Sequence, residues 1–416
     1  MAMVLKNPYG KELEYQSLHK LFFEIVIYFI LLKIARQMNQ KIVRFILKNP
    51  LVKIAIACNL TDFFLDMYWS GKKAAYWDGI AKTGIIPHPS SMWLEATMRC
   101  NLNCRMCHQK DLRRIKQTEL TLDEIKSIID QAKKHSIDLI ELTGGELFIR
   151  KDIIDILKYI DEKKIYTKLN NNGTLITPEH MTELKKFRFL ESLVFSIDGP
   201  EQVHNEIRGN RLAFQKAVGA FKALGKTAFL KNISFVLMPD NSQYLEDMFK
   251  LSRDLKADRL QFMPEMFVSQ NEIDITKKAL AMKDGDEVFM EIKNTPIDSS
   301  YPDKMKSAIK TIYSLRKKYG IFAVIYPKIA YKIPNQFFTG KYTKRLVCKC
   351  FSKLIIGVNG DVYVCPFIHK KVGNIKDKTI AEIWNNDAMT TLRKIIAKSP
   401  TLLPICHNCC SAEALA

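Results

Sequence analysis

The chain has 416 residues, 47% of them hydrophobic, with 64 Lys and Arg against 44 Asp and Glu for a formal net charge of +20. That length exceeds one comfortable core, so a main domain plus at least one smaller unit is expected, and the hydrophobic content is that of a folded protein. Ten cysteines in clustered spacing, with no secretory signal ahead of them, exclude a disulfide-stapled secreted scaffold and point to metal ligation in the reducing cytoplasm.

The basic excess asks for an acidic partner, set against a Lys-rich background spread over solvated faces. In residues 1–89 the run Leu21 to Leu32, LFFEIVIYFILL, is too short to span a bilayer. From Lys33 to Lys53 apolar residues alternate at helical spacing with Lys33, Arg36, Lys41, Arg44, Lys48 and Lys53, and no acid interrupts them. Such a run predicts an interfacial helix on an anionic membrane, and hence a peripheral location at the bilayer. The alternative is a helical subdomain packed on the rest of the protein. Nucleic acid is the weaker partner, because the aromatics of Asp62 to Trp77 lie in apolar runs and are not interleaved with bases. Cys58 reads as a core residue.

Trp93 to Met98 reads as a strand running into Cys100, Cys104 and Cys107, spaced Cys-x3-Cys-x2-Cys. Three clustered thiolates select zinc, copper(I) or an iron-sulfur cluster, and zinc or an ordinary cubane wants four protein ligands. A [4Fe-4S] cluster on these three keeps one iron open, whereas zinc would be completed by His108 or a distant cysteine. Strand and helix then alternate. Helices are expected at Leu122 to Lys134, behind a Thr121–Glu124 capping box, and at Ile153 to Glu162, Pro178 to Phe187, Leu212 to Leu224 and Ser242 to Leu255. Strands are expected at Leu139 to Thr143, Thr167 to Asn170, Leu193 to Ile197, Asn232 to Met238 and Arg259 to Met263. Six parallel strands with right-handed crossovers give a partial (β/α)6 barrel, with chemistry at the C-terminal strand ends.

These motifs resemble the radical S-adenosylmethionine (SAM) enzymes over about residues 91–262. The resemblance implies that Cys100, Cys104 and Cys107 bind a [4Fe-4S] cluster and that Gly144-Gly145-Glu146 holds the methionyl amino group of SAM. It implies that the Asn170 to Thr174 turn, through Asn172, and Ser196 to Pro200, through Ser196 and Asp198, line the cofactor, and that Arg208 pairs with the SAM carboxylate. Met106 stands where the family usually has an aromatic residue. The implied chemistry is reductive cleavage of SAM to methionine and a 5′-deoxyadenosyl radical that takes hydrogen from an unactivated carbon, the electron coming from a flavodoxin or ferredoxin. No catalytic side chain is singled out beyond these ligands.

Residues 271–344 read as barrel completion and connector, with a helix from Tyr301 to Tyr319 and a strand from Ile321 to Tyr326; Tyr331, Phe337, Phe338 and Tyr342 are expected to fill core. In residues 345–416, Phe351 to Val364 reads as two strands joined by a two-residue turn at Asn359-Gly360. Around it stand Cys348, Cys350, Cys365, Cys406, Cys409 and Cys410, and zinc is again the alternative occupant. Cys350-x9-Gly360-x4-Cys365 with Cys406-x2-Cys409 resembles the SPASM and twitch auxiliary-cluster domains. The resemblance implies one auxiliary [4Fe-4S] cluster on Cys365, Cys406, Cys409 and either Cys348 or Cys350. The fold expected is thus an α/β radical SAM partial barrel (90–270) with an N-terminal helical extension and a small C-terminal SPASM/twitch-like domain.

Three functions are open at this point. The basic start favours a membrane-associated enzyme acting on a lipid-like hydrophobic substrate. The SPASM-like tail favours a peptide- or protein-modifying maturase. A non-catalytic iron-sulfur or zinc protein would have no use for Gly144-Gly145-Glu146 or Arg208.

Overall fold

The computed structural model describes residues 74–110, 118–293 and 299–415. The stretches Leu21 to Leu32 and Lys33 to Lys53, the lone Cys58, and the membrane contact expected of that region lie outside the described residues. Its last part, a helix over residues 74–83 (α1), buries Trp77 and Ile80. Trp77 stacks on Phe351 with centroids 5.1 Å apart, and Asp78 pairs with Arg345, so α1 packs on the C-terminal part of the chain.

Six strands follow in order: β1 (Ser91–Thr97), β2 (Leu139–Gly144), β3 (Tyr166–Asn171), β4 (Leu190–Ser196), β5 (Leu230–Leu237) and β6 (Arg259–Pro264). All neighbours pair in parallel, which leaves both faces to be covered. On one face Leu94, Leu142, Leu169, Phe195, Phe235 and Phe262 are fully buried under the helices. Those helices are α2 (Leu122–Lys134), α3 (Ile153–Glu162), α4 (Pro178–Leu184), α5 (Glu201–Arg208), α6 (Ala213–Ala223) and α7 (Leu245–Asp254). With a period of two, the alternate residues form the concave inner face. These include Trp93, Glu95, Glu141, Asn170, Val194, Ser196, Ser234, Gln261 and Met263, and from Asn170 to Met263 they are at least partly open to solvent.

The sheet does not stop at β6 or β1. β7 (Ala323–Ile325) adds in parallel to β6. At the other edge β8 (Lys353–Ile356) adds in parallel to β1, and β9 (Asp361–Tyr363) and β10 (Gly373–Asn374) continue antiparallel. The order is therefore β7-β6-β5-β4-β3-β2-β1-β8-β9-β10, ten strands in one open sheet. The C-terminal region expected as a separate small unit is built onto the barrel edge, and one hydrophobic core runs through both.

The capping box at Thr121 and Glu124 and the first-turn proline at Pro178 stand where expected. Three local readings need correction. Sequence periodicity missed α5 because EQVHNEIR carries little apolar signal; its markers were the preceding Pro200 and the C-terminal Gly209, which takes φ +64°. The turn between β8 and β9 is longer than a two-residue turn. It centres on Val358-Asn359 and is closed by Gly360 N–H donating to Gly357 C=O at 2.9 Å; Gly360 at φ +89° supplies the left-handed residue that a three-residue hairpin loop needs. The stretch expected to be one helix from Ser242 begins as a 3-10 turn, Ser242–Tyr244, before α7. Among the described residues no helix is long and apolar enough to cross a membrane.

Candidate functional site

The loop after β1 carries Cys100, Cys104 and Cys107 at the C-terminal edge of the sheet, where the loops after β2, β3 and β4 converge on it. Cys107 N–H donates to Cys104 C=O at 3.3 Å, folding the second half of the loop into a turn. Asn101 braces the first half, accepting from Asn172 Nδ2 at 3.1 Å and donating to Thr174 Oγ1 at 2.9 Å, so the Asn170 to Thr174 turn is tied to the cysteine loop. Arg105 N–H donates to Ile207 C=O, and a Cβ on Gly209 would lie 2.9 Å from Asn103 O, so α5 closes against the loop.

Gly144 and Gly145 allow a second close approach. A Cβ on Gly145 would lie 2.2 Å from Arg99 O, and Gly145 N–H donates to Thr97 C=O at 2.8 Å. Glu146 is buried and turns inward: its oxygens accept Asn172 N–H at 2.7 Å and Phe148 N–H at 3.2 Å. Burial pushes its carboxyl up to about 7 against those two backbone donors. Glu146 thus joins the β2 and β3 loops through its side chain, whereas the glycine backbone lies beside the cysteines.

Asp198 is fully buried after β4 and organises the other wall. It accepts Arg208 Nε at 2.6 Å and Nη2 at 2.5 Å on Oδ2, and Val236 N–H at 2.9 Å on Oδ1. The guanidinium expected to pair with a cofactor carboxylate is thus held by Asp198 along one edge. Its Nη1 faces Cys104 Sγ at 3.6 Å. Burial raises the Cys104 thiol and the adjacent Arg208 opposes it. His204 receives Asp198 N–H at Nδ1, 3.1 Å away, and burial pushes its imidazole down to about 4. Asn241, which carried no sequence signal, braces this wall through Nδ2 to Asp198 C=O at 3.2 Å. Ser196 ends β4 on the inner face, half-buried.

The C-terminal thiols form a second group. The Cys348 thiol acts on that of Cys350, and the Cys409 thiol on that of Cys410. That interaction first and burial second hold Cys348 and Cys409 well above the ordinary thiol range, while burial leads at Cys365 and pushes Cys406 up to about 12. Each of these four also feels the charge of other thiols in the set. Cys350 Sγ donates to Ser411 Oγ at 3.1 Å. Among the described residues no three His, Cys, Asp or Glu groups are already closed up as a metal shell. Metal binding at such a group of thiols proceeds with release of their protons. The donor sets fit: three thiols on one loop beside a glycine cradle, and a soft all-sulfur set of four or more at the C-terminus. His108 meets Phe367 edge-on at 5.1 Å, which joins the first cysteine loop to the C-terminal group.

The family model of the radical SAM superfamily matches residues 94–252, and that of the SPASM iron-sulfur cluster-binding domain matches residues 348–410. The AdoMet-dependent heme synthase of Methanosarcina barkeri is 32% identical over 164 residues, 39% of this chain and 47% of that protein. The PqqA peptide cyclase of Bradyrhizobium diazoefficiens is 28% identical over 174 residues, 42% of this chain and 46% of that one. The chain thus spans about half the length of the curated relatives it matches. Streptococcus suis SuiB bound to precursor peptide SuiA shares the fold with a TM-score of 0.59 at 16% identity, over 78% of this chain and 71% of that one.

Proposed function

We propose, from the premise that this chain is a radical SAM enzyme with a C-terminal SPASM iron-sulfur domain, that it modifies a peptide. The observation that carries this reading is the inner face of the sheet. Asn170, Ser196, Ser234 and Gln261 point into the concavity with only Val194, Val236 and Met263 between them. A groove of amide and hydroxyl groups pairs with the N–H and C=O of a peptide backbone, whereas a lipid chain would leave them unpaired at about 1–3 kcal/mol each. The relatives include a peptide cyclase, and a fold neighbour was solved with a precursor peptide, which supports the same reading. The lipid expectation rests on residues 33–53.

In this reading Cys100, Cys104 and Cys107 hold the [4Fe-4S] cluster, and Gly144, Gly145, Asn172, Ser196, Asp198 and Arg208 hold SAM beside it. Together the cluster and SAM supply one-electron abstraction of a hydrogen atom when bound. Glu146 and Asp198 keep the loops in register, and the fork of Arg208 is held by Asp198 so that its Nη1 faces Cys104. The auxiliary cluster falls to Cys365, Cys406 and Cys409 with Cys348 or Cys350. Peptide and lipid profiles by mass spectrometry, from anaerobic cells with and without the gene, test the substrate class. A modified peptide present only with the gene is the expected result; a lipid or porphyrin product as the sole difference overturns it.

A further inference from the structure

Lys353 opens β8, three residues after Cys350, opposite Ser91 of β1. Its side chain crosses the inner face of β1. Its Nζ stands 5.7 Å from the centre of the Trp93 ring and donates to Glu141 Oε1 on β2 at 2.7 Å. Both ends are largely covered, at 25% and 16% exposure. The Trp93 ring that the ammonium overlies packs against the buried cluster of Cys350, Ile355 and Tyr363, as does Cys348. A partly desolvated ion pair therefore lies across the floor of the concavity, against the wall that carries the C-terminal thiols.

We infer that the Lys353–Glu141 pair sets the reduction potential of the auxiliary iron-sulfur cluster, Lys353 raising it and Glu141 restraining it. This rests on the assignment of that cluster to the C-terminal cysteines. A thiolate-ligated cluster gains one negative charge when it takes up an electron, so a fixed cation nearby favours the reduced form and a fixed anion disfavours it; exposure and local charge are among the main determinants of such potentials. Where the site is half-desolvated these charges are screened less than at a surface. The pair bridges β8 and β2 across the inner face of β1, three residues from Cys350.

The test is an anaerobic redox titration followed by electron paramagnetic resonance, on the reconstituted full chain bearing Cys100, Cys104 and Cys107→Ala so that only the auxiliary cluster reports. Lys353→Met should lower the midpoint, and Glu141→Gln should raise it. A shift of roughly tenfold in the reduced-to-oxidised ratio is expected in each case, about 59 mV for a one-electron couple. Lys353→Arg, which keeps the charge, should leave the midpoint in place, and the double variant Lys353→Met with Glu141→Gln should return close to the parent. Equal midpoints in all variants, or shifts of the same sign in both single variants, overturn the inference while iron near four per chain upholds the cluster. Loss of that iron from the parent itself would instead remove the assignment on which the inference rests. If Lys353→Met fails to load, the Glu141→Gln and Lys353→Arg measurements still decide.

Discussion

Glu95 shows what a single side chain contributes in this fold. It sits on the inner face of β1 with Oε2 buried and unpaired, and burial raises its carboxyl from the ordinary 4.5 to about 8, with the Trp93 indole opposing. An acid raised in the folded state binds its proton more tightly there than in the unfolded chain. Its contribution is therefore most favourable below about pH 4.5 and is lost as pH rises toward 8. At about 1.4 kcal/mol per unit the loss amounts to a few kcal/mol at most. Glu95→Gln removes the charge, so in anaerobic thermal unfolding the Tm difference between Gln variant and parent should widen in favour of Gln from pH 6 to 9. A parallel pH course in both proteins would mean that Glu95 is solvated in solution. Arg208 makes the opposite case, of a charge fully matched: two of its nitrogens hold Asp198 and the third faces Cys104. Lysine keeps the charge but not the fork. Arg208→Lys should weaken SAM binding about tenfold or more in equilibrium dialysis, as expected when losing one to two charge-assisted hydrogen bonds to Asp198 loosens the wall that the two residues form beside Cys104; unchanged affinity would take Arg208 out of the site.

At the scale of elements, the two thiol groups ride on different supports. Cys100, Cys104 and Cys107 hang on one loop braced by Asn101 and α5, while the C-terminal thiols flank β8 and β9 and the Cys406 turn. Loss of one group should therefore leave the other. Reconstituted parent should hold close to eight irons, about four per cluster, and Cys100, Cys104 and Cys107→Ala close to four, with no reductive cleavage of SAM. Fewer than two irons in the triple variant would show the sites to be interdependent; zinc with negligible iron in the parent would end the iron-sulfur assignment. The strands and most helices were legible because a two-residue period and a 3.6-residue period leave strong marks in β1 to β6 and α2 or α3. The cysteine and glycine positions were legible because those residue types have few other uses at such spacing. Partners that act through one polar side chain left no such mark. Asn101, Asn241 and the Lys353–Glu141 pair join segments far apart in sequence, and a lone Asn or Lys has many ordinary roles. Nor did spacing tell that Arg208 would be engaged by Asp198, ten residues before it on the same polypeptide segment.

On the scale of the whole molecule, the cluster-bearing C-terminal region is part of the barrel's sheet and not an appendage to it. β8 supplies Leu354 and Ile356, both fully buried, beside Met92 and Leu94 of β1, and it satisfies the outer hydrogen bonds of that strand. Trp77 of α1 in turn stacks on Phe351, and Trp384 Nε1 donates to Ile86 C=O at 2.8 Å, so the segment leading into β1 also depends on the C-terminal residues. Ending the chain at Lys344 would therefore expose the edge of β1 and the apolar face beneath it, a flat parallel edge of the kind that pairs with other chains. Two buried aliphatic side chains at about 1.5–3 kcal/mol each, added to the lost aromatic stack, approach the whole stability of an ordinary domain. Such a chain should aggregate on expression and show no cooperative unfolding. Cys365, Cys406 and Cys409→Ala in the full chain removes ligands but not strands, so it should remain soluble, unfold cooperatively at a lower Tm and retain about four irons on Cys100, Cys104 and Cys107. Cooperative unfolding and four irons in the chain ending at Lys344 would show that the barrel closes without β8, and that the continuous sheet is dispensable to it.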